Sequence, residues 1–238
     1  MSDIAEQFRA YAKDDARLSA LPYADVAESG NPVNMLAEEL SRRTPLAVMR
    51  WESNLSDPYF RVLSLDFLAQ QPREEAAPTV WEGCTLDEPT LIEGDLVVRG
   101  NLENRSNLVV LGDLTVEGAY IGRGEYPCCS VGGSMDATNF YANESETICL
   151  GTLTIQSVLL VVYNHTVTIA RKLVAKTLIS DDADIDGELI AESRHENPSY
   201  DIYKELFGLE FDDEDQDLDP GEQIYDRVVA QMLNPASG

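Results

Sequence analysis

Histidine is nearly absent from this chain. His165 and His195 are the only two, and the four cysteines are Cys84, Cys128, Cys129 and Cys149. No CxxC occurs, and the vicinal pair Cys128-Cys129 cannot easily bridge to itself. Metal ligation by thiols therefore finds no support in the spacing, and all four read as reduced. Basic residues are scarce: 17 Lys and Arg stand against 43 Asp and Glu, a net charge of -26. Such a surface repels nucleic acid and anionic membrane. It attracts basic partners and speeds their encounter. No apolar run approaches the roughly 18–20 residues that span a bilayer. The opening MSDIAEQFRAYAKDD lacks the basic-then-apolar pattern of a secretory signal, so the expected location is the cytoplasm. There is no P-loop, GxSxG, GxGxxG or HExxH. No catalytic residue, metal ligand or cofactor is assigned, and the expectation is a protein that is not an enzyme.

What is present is an ordinary apolar fraction, 44%, enough for a real core. Three regions are expected: a helical region over 1–78, a repetitive β region over 79–195 and an acidic helical region over 196–238. Ser2 suits a cap for a first helix bearing Ile4, Phe8, Tyr11 and Leu18 near one stripe. Asn31-Pro32 signals a second start, with Val33, Met35, Leu36 and Leu40. A short apolar stretch follows Pro58, through Leu63, Leu65 and Leu68. Residues 70–78 read as a linker.

From about Trp81 short strings recur. Gly94-Asp95-Leu96-Val97-Val98 is followed by Gly112-Asp113-Leu114-Thr115-Val116, with weaker copies starting at Gly133, Gly151, Arg171 and Gly187. A period of about 20 residues with β-branched residues and no helical periodicity predicts a single-stranded parallel β-helix of about five to six rungs. The columns agree. Two residues after each start stand Leu96, Leu114, Met135, Leu153, Leu173 and Leu189. Four after stand Val98, Val116, Ala137, Ile155, Ala175 and Ala191. Eight after stand Leu102, Tyr120, Tyr141, Leu159 and Ile179. Before the next starts stand Val110, Val131, Cys149 and Ile169, and, two residues earlier, Leu108, Cys129, Thr147 and Val167. Alternation places all of these inside, with Gly100 and Gly118 at corners.

The outward columns differ by face. The first face carries Asp95, Asp113, Ser134, Thr152 and Lys172 and is expected to be wet. The second shows Ala119, Ile121, Phe140, Ala142, Val158, Leu160 and Leu178. The third shows Val109, Leu111, Ile148 and Leu150. A soluble protein does not leave two such stripes bare. Terminal helices are expected to cover them, with the larger N-terminal block over Phe140, Val158, Leu160 and Leu178; otherwise they serve self-association or a partner. Beyond the repeats, a short helix over 199–207 closes at Gly208, and Pro220 opens a final helix with Ile224, Val228, Val229, Met232 and Leu233 in phase.

Two acidic strings invite a functional reading. Asp182-Ala183-Asp184-Ile185-Asp186-Gly187 matches the opening of a calcium-binding EF-hand loop. The twelfth position is Ser193 where a bidentate Glu is required, and the flanks read as strand. Residues 210–219 hold seven acids and no base, which reads either as a solvated loop or as a clamp for a basic surface. The candidate partner-binding residues are Asp181, Asp182, Asp184, Asp186, Asp212, Asp213, Glu214 and Asp215. His165 falls in a turn between rungs with no carboxylate at a recognisable spacing, so general-base chemistry is the weaker reading.

Over roughly residues 93–191, carried by Gly94 to Leu102 and Gly112 to Gly118, the chain resembles bactofilin-like, polymer-forming bacterial β-helix proteins. That resemblance implies a right-handed helix. The ending Leu178-Ile179-Ser180-Asp181-Asp182 with an acidic helical tail looks like a looser group, suspected immunity proteins beside polymorphic toxins. The repeats degrade after two copies and the ends are helical. Helices capping the terminal rungs would oppose the end-to-end stacking of a filament. Three functions are therefore expected in order: an immunity protein that neutralises a cognate bacterial toxin by direct binding, the acidic surface suiting a basic one; a self-assembling scaffold; and a β-helix enzyme.

Overall fold

The computed structural model describes residues 4–13, 33–34, 37–38, 58–73, 77–163, 165–209 and 222–233. Helix α1 (Ile4–Lys13), short helical turns at Val33-Asn34 and Ala37-Glu38, and α2 (Pro58–Ala69) precede ten strands. These are β1 (Thr79–Leu86), β2 (Thr90–Ile92), β3 (Leu96–Asn104), β4 (Asn107–Val110), β5 (Leu114–Gly122), β6 (Cys128–Val131), β7 (Met135–Asn143), β8 (Glu146–Val162), β9 (Val167–Asp181) and β10 (Asp184–Glu196). Helices α3 (Tyr200–Phe207) and α4 (Glu222–Leu233) follow. All strand pairs are parallel: β1 to β6 each pair with the strand two places on, one turn later, while the long β8, β9 and β10 bend across two faces, so that β7 pairs with β8, β8 with β9 and β9 with β10. The result is a parallel β-solenoid of about six turns with helices at both ends of the chain.

The leucine column forms in register. Leu96 pairs with Leu114, Leu114 with Met135, Met135 with Leu153, Leu153 with Leu173 and Leu173 with Leu189. The column from Val98 to Ala191 is equally continuous. Both run through one buried interior cluster. The repeated Gly-Asp has a steric cause. The Asp95 carboxylate reaches the next turn and accepts from the Asp113 N–H at 2.9 Å, and Asp113 does the same for Ser134 at 2.7 Å. A Cβ on Gly112 would lie 2.1 Å from Asp95 Oδ1 and 2.7 Å from the Gly94 backbone. Each glycine thus makes room for the acid of the turn before it.

On the second face the expected register slips by one residue. Tyr120 stacks on Phe140, Phe140 on Leu159, and Leu159 on Leu178. Phe140, Ala142 and Leu178 therefore point in, while Tyr141 and Ile179 point out. The corner between the first two faces is one residue shorter in the turns that begin at Gly133, Arg171 and Gly187. A one-residue change exchanges the two sides of everything after it. The third face slips in the same way in the fifth turn: Thr168 and Ala170 take the inward places expected of Val167 and Ile169.

Helices do cover both apolar stripes, but with the assignment exchanged for the second face. The N-terminal helices lie on the third face, where Phe8, Leu63, Leu65 and Phe67 pack with Val109, Leu111 and Ile148. The C-terminal helices lie on the second face, where Tyr203, Tyr225, Val228 and Val229 pack with Ala119, Ile121, Leu160 and Ile179. The reason is connectivity: β10 ends on the second face, and the short link at 197–199 delivers α3 directly onto it. Both sets of helices run along flanks. Among the described residues neither end of the solenoid is capped, contrary to expectation: β1 pairs only with β3, and β10 only with β9.

Leu153 lies at full burial in the middle of a narrow core. Leu153→Ala is expected to lower unfolding free energy by roughly 2–5 kcal/mol in urea titration, the cost of a cavity that neighbouring rungs cannot close.

Candidate partner-binding surface

The acidic string occupies the last bend of the solenoid. The chain leaves β9 through Asp182, which takes a left-handed conformation (φ 50°). Asp184 pairs with Val167, Ile185 with Thr168 and Asp186 with Ile169 on the third face. Gly187 (φ 136°) then turns the chain onto the first face; a Cβ there would lie 1.8 Å from the Ala170 carbonyl oxygen. Asp186 thus ends the outward column of Leu91, Val109, Ser130, Ile148 and Ile169, apolar but for Ser130, with an acid.

The predicted residues separate into three groups. Asp182, Asp184 and Asp186 are exposed, and Glu188, Glu192 and Glu196 continue the acidic run along β10. A groove of about 460 Å³ at this end is lined by Asp182, Asp184, Ile185, Arg194, Glu196 and Asn197 among others. Asp181 belongs elsewhere: it accepts the Tyr225 hydroxyl and so fastens α4 to the second face. Burial first, then Tyr203 and Asp181 nearby, hold the Tyr225 hydroxyl far above the usual phenol range, so it stays a donor. Asp212, Asp213, Glu214 and Asp215 lie outside the described residues. Among the described residues, no group of three or more His, Cys, Asp and Glu side chains is arranged to hold a metal ion.

Other polar groups serve packing. Arg61 of α2 pairs with Glu146 at 3.4 Å and lies against the Cys128 thiol, anchoring the N-terminal helices to the third face. Burial raises the Glu146 carboxyl above its ordinary range despite Arg61. At another corner Glu103 accepts from Arg123 at 2.7 Å and Arg105 at 2.9 Å, and Arg123 reaches Asp226 of α4 at 3.0 Å. Burial alone would raise Glu103; the hydrogen bonds and charges of Arg123 and Arg105 outweigh it and leave the carboxyl below its usual value. His165 is exposed with its ring edge-on to Tyr126 at 6.0 Å. Cys129 points inward and Cys128 outward beneath the helices, as the columns imply. The sequence reading missed Arg61, Glu103, Arg123 and Tyr225 because each acts across a long stretch of chain.

Comparison with protein-family models, with curated proteins and with solved structures finds no match to this chain. No helix among the described residues is long and apolar enough to cross a membrane.

Cys84 is exposed, whereas Cys128, Cys129 and Cys149 are buried. A disulfide reagent should therefore label one thiol quickly in the native protein and four after unfolding. Burial raises the Cys84 pKa from its ordinary value, so labelling should accelerate toward alkaline pH. Glu103 gives a pH signature of known sign. Its folded pKa is lowered, so its contribution is full above the ordinary carboxylate range and is lost as pH falls through the folded value. The stability gap between native protein and Glu103→Gln should narrow between about pH 6 and about pH 3 in urea titrations.

Proposed function

We propose that the chain is a protein-binding module that captures a basic protein on its acidic last turn, as an immunity protein captures a cognate toxin. The observation that carries this reading is the exposed acidic run along the last turn, beyond which no described strand lies: Asp182 in the bend, then Asp184, Asp186, Glu188, Glu192 and Glu196 on β10. The two apolar stripes, the rival partner surfaces, are occupied by the chain's own helices. Charges of one sign at the rim of a surface raise association rate and exclude partners of like charge.

A self-assembling scaffold is the second reading, favoured by the edges of β1 and β10, on which no further strand lies among the described residues. Against it, β10 carries acids along its length, and charged edge strands oppose end-to-end pairing.

The test is co-expression with the product of the adjacent reading frame. A stable complex is expected. Replacing Asp182, Asp184 and Asp186 with Asn should slow association at low salt, matter less at high salt and leave stability nearly unchanged. A parallel variant neutralising Asp212, Asp213, Glu214 and Asp215 apportions the effect between the two acidic strings. Absence of any complex, with toxin killing undiminished, overturns the reading. Fibres of the isolated chain in electron micrographs favour the scaffold.

A further inference from the structure

The last turn offers more than charge. In earlier turns the backbone N–H of the leucine column points forward to the following turn: Thr79 to the Asp95 carbonyl at 2.9 Å, Leu96 to Asp113 at 2.8 Å and Leu114 to Ser134 at 2.9 Å. Leu189 stands in that same column. No described strand follows it, since β10 pairs with β9 alone. Its N–H therefore faces the open edge, and by the two-residue period so does that of Ala191. The side chains tell the same story. Leu173 and Ala175 are buried beneath the last turn, whereas Leu189 and Ala191 pack against the core from one side and remain half-buried.

Among the described residues the edge of β10 is open along its length, and Ile185 takes the inward place on the third face, but the second-face stretch is guarded. Further along β10, Arg194 takes the inward place of Leu178 and pairs with Glu196 at 2.5 Å. An inward-pointing charge is a common guard against strand addition. At the opposite end of the solenoid, Trp81 and Leu86 bring larger apolar side chains against the core. On the outer side of the first-face stretch stand Glu188, exposed Ile190 and Glu192.

We propose that the basic partner docks by adding an extended strand to the first face of the last turn. Its inward residues are apolar and cover Leu189 and Ala191; its outward residues are basic and meet Glu188 and Glu192. This rests on the basic-partner reading above and names its mode of recognition: backbone bonds along a sheet edge, with specificity from alternate side chains.

The probe is a peptide of about seven residues alternating Val and Lys, compared with one of the same composition carrying Val and Lys in separate blocks. Titration of the full chain should show the alternating peptide binding at least about tenfold more tightly, with the Leu189 and Ala191 amides becoming slow to exchange. Ala191→Pro removes an edge donor without removing a bond to β9, and should abolish that preference. If this variant misfolds, amide exchange in the unaltered protein decides alone. Equal binding of the two peptides, binding of neither, or unchanged exchange at Leu189 and Ala191 overturns strand addition. The basic-partner reading is decided separately. If the Asp182, Asp184 and Asp186 substitutions weaken capture of the adjacent-frame product and Ala191→Pro does not, strand addition fails and that reading stands. Concentration-dependent assembly of the isolated chain that Ala191→Pro prevents makes a second copy the occupant and overturns the proposal.

Discussion

Parallel stacking in register is the constraint from which the other features follow. A strand in such a stack bonds to the turn before and the turn after, so each position repeats the environment of its column. The corners must then be compatible with copies of themselves. Asp95 and Asp113 meet this by bonding forward, and Gly112 and Gly133 by leaving space for the carboxylate beneath. Asn101 and Gly118 repeat the device at the next corner: Asn101 Oδ1 accepts from the Ala119 N–H at 2.8 Å, and a Cβ on Gly118 would lie 2.3 Å from that same oxygen. The glycine and the acid in the repeat are thus two halves of one contact between successive turns.

The interior is too narrow to bury the whole apolar content, so the excess appears as stripes on the outer faces. Each stripe is sealed by the helix that the chain can bring to it with the shortest connection. Polar ties then fix the helices in place: Arg61 to Glu146 for the N-terminal set, and Tyr225 to Asp181 with Arg123 to Asp226 for α4. Arg61 and Glu146 are both partly buried, and removing one partner of such a pair leaves part of the other's desolvation cost uncompensated.

The fold was legible where one face alternates cleanly. Leu96 through Leu189 could be aligned because every first-face strand has an apolar residue inside and a polar or half-exposed one outside. The second face defeats the same method. There both sides are apolar, one facing the core and the other a helix, so the neighbours Phe140 and Tyr141, or Leu178 and Ile179, cannot be told apart by alternation. The shortened corner that decides between them has no local signature. The candidate surface was legible as composition only. Nothing near Asp181 shows that it is taken by a tyrosine 44 residues on, whereas Asp182, Asp184 and Asp186 remain at the surface.

The acids of β10 have two consequences. A second copy of this chain brings a surface of net negative charge, and its approach to β10 is opposed. A basic protein is attracted by the same charges. If blocking self-association were their whole role, the guard would be expected along the entire edge. Arg194 supplies an inward charge on the second face, but on the first face the inward places are Leu189 and Ala191, and Ile190 is 44% exposed between two acids. An apolar residue left there weakens a barrier to association. It is accounted for when that stretch of edge is the place where a partner of opposite charge is meant to lie.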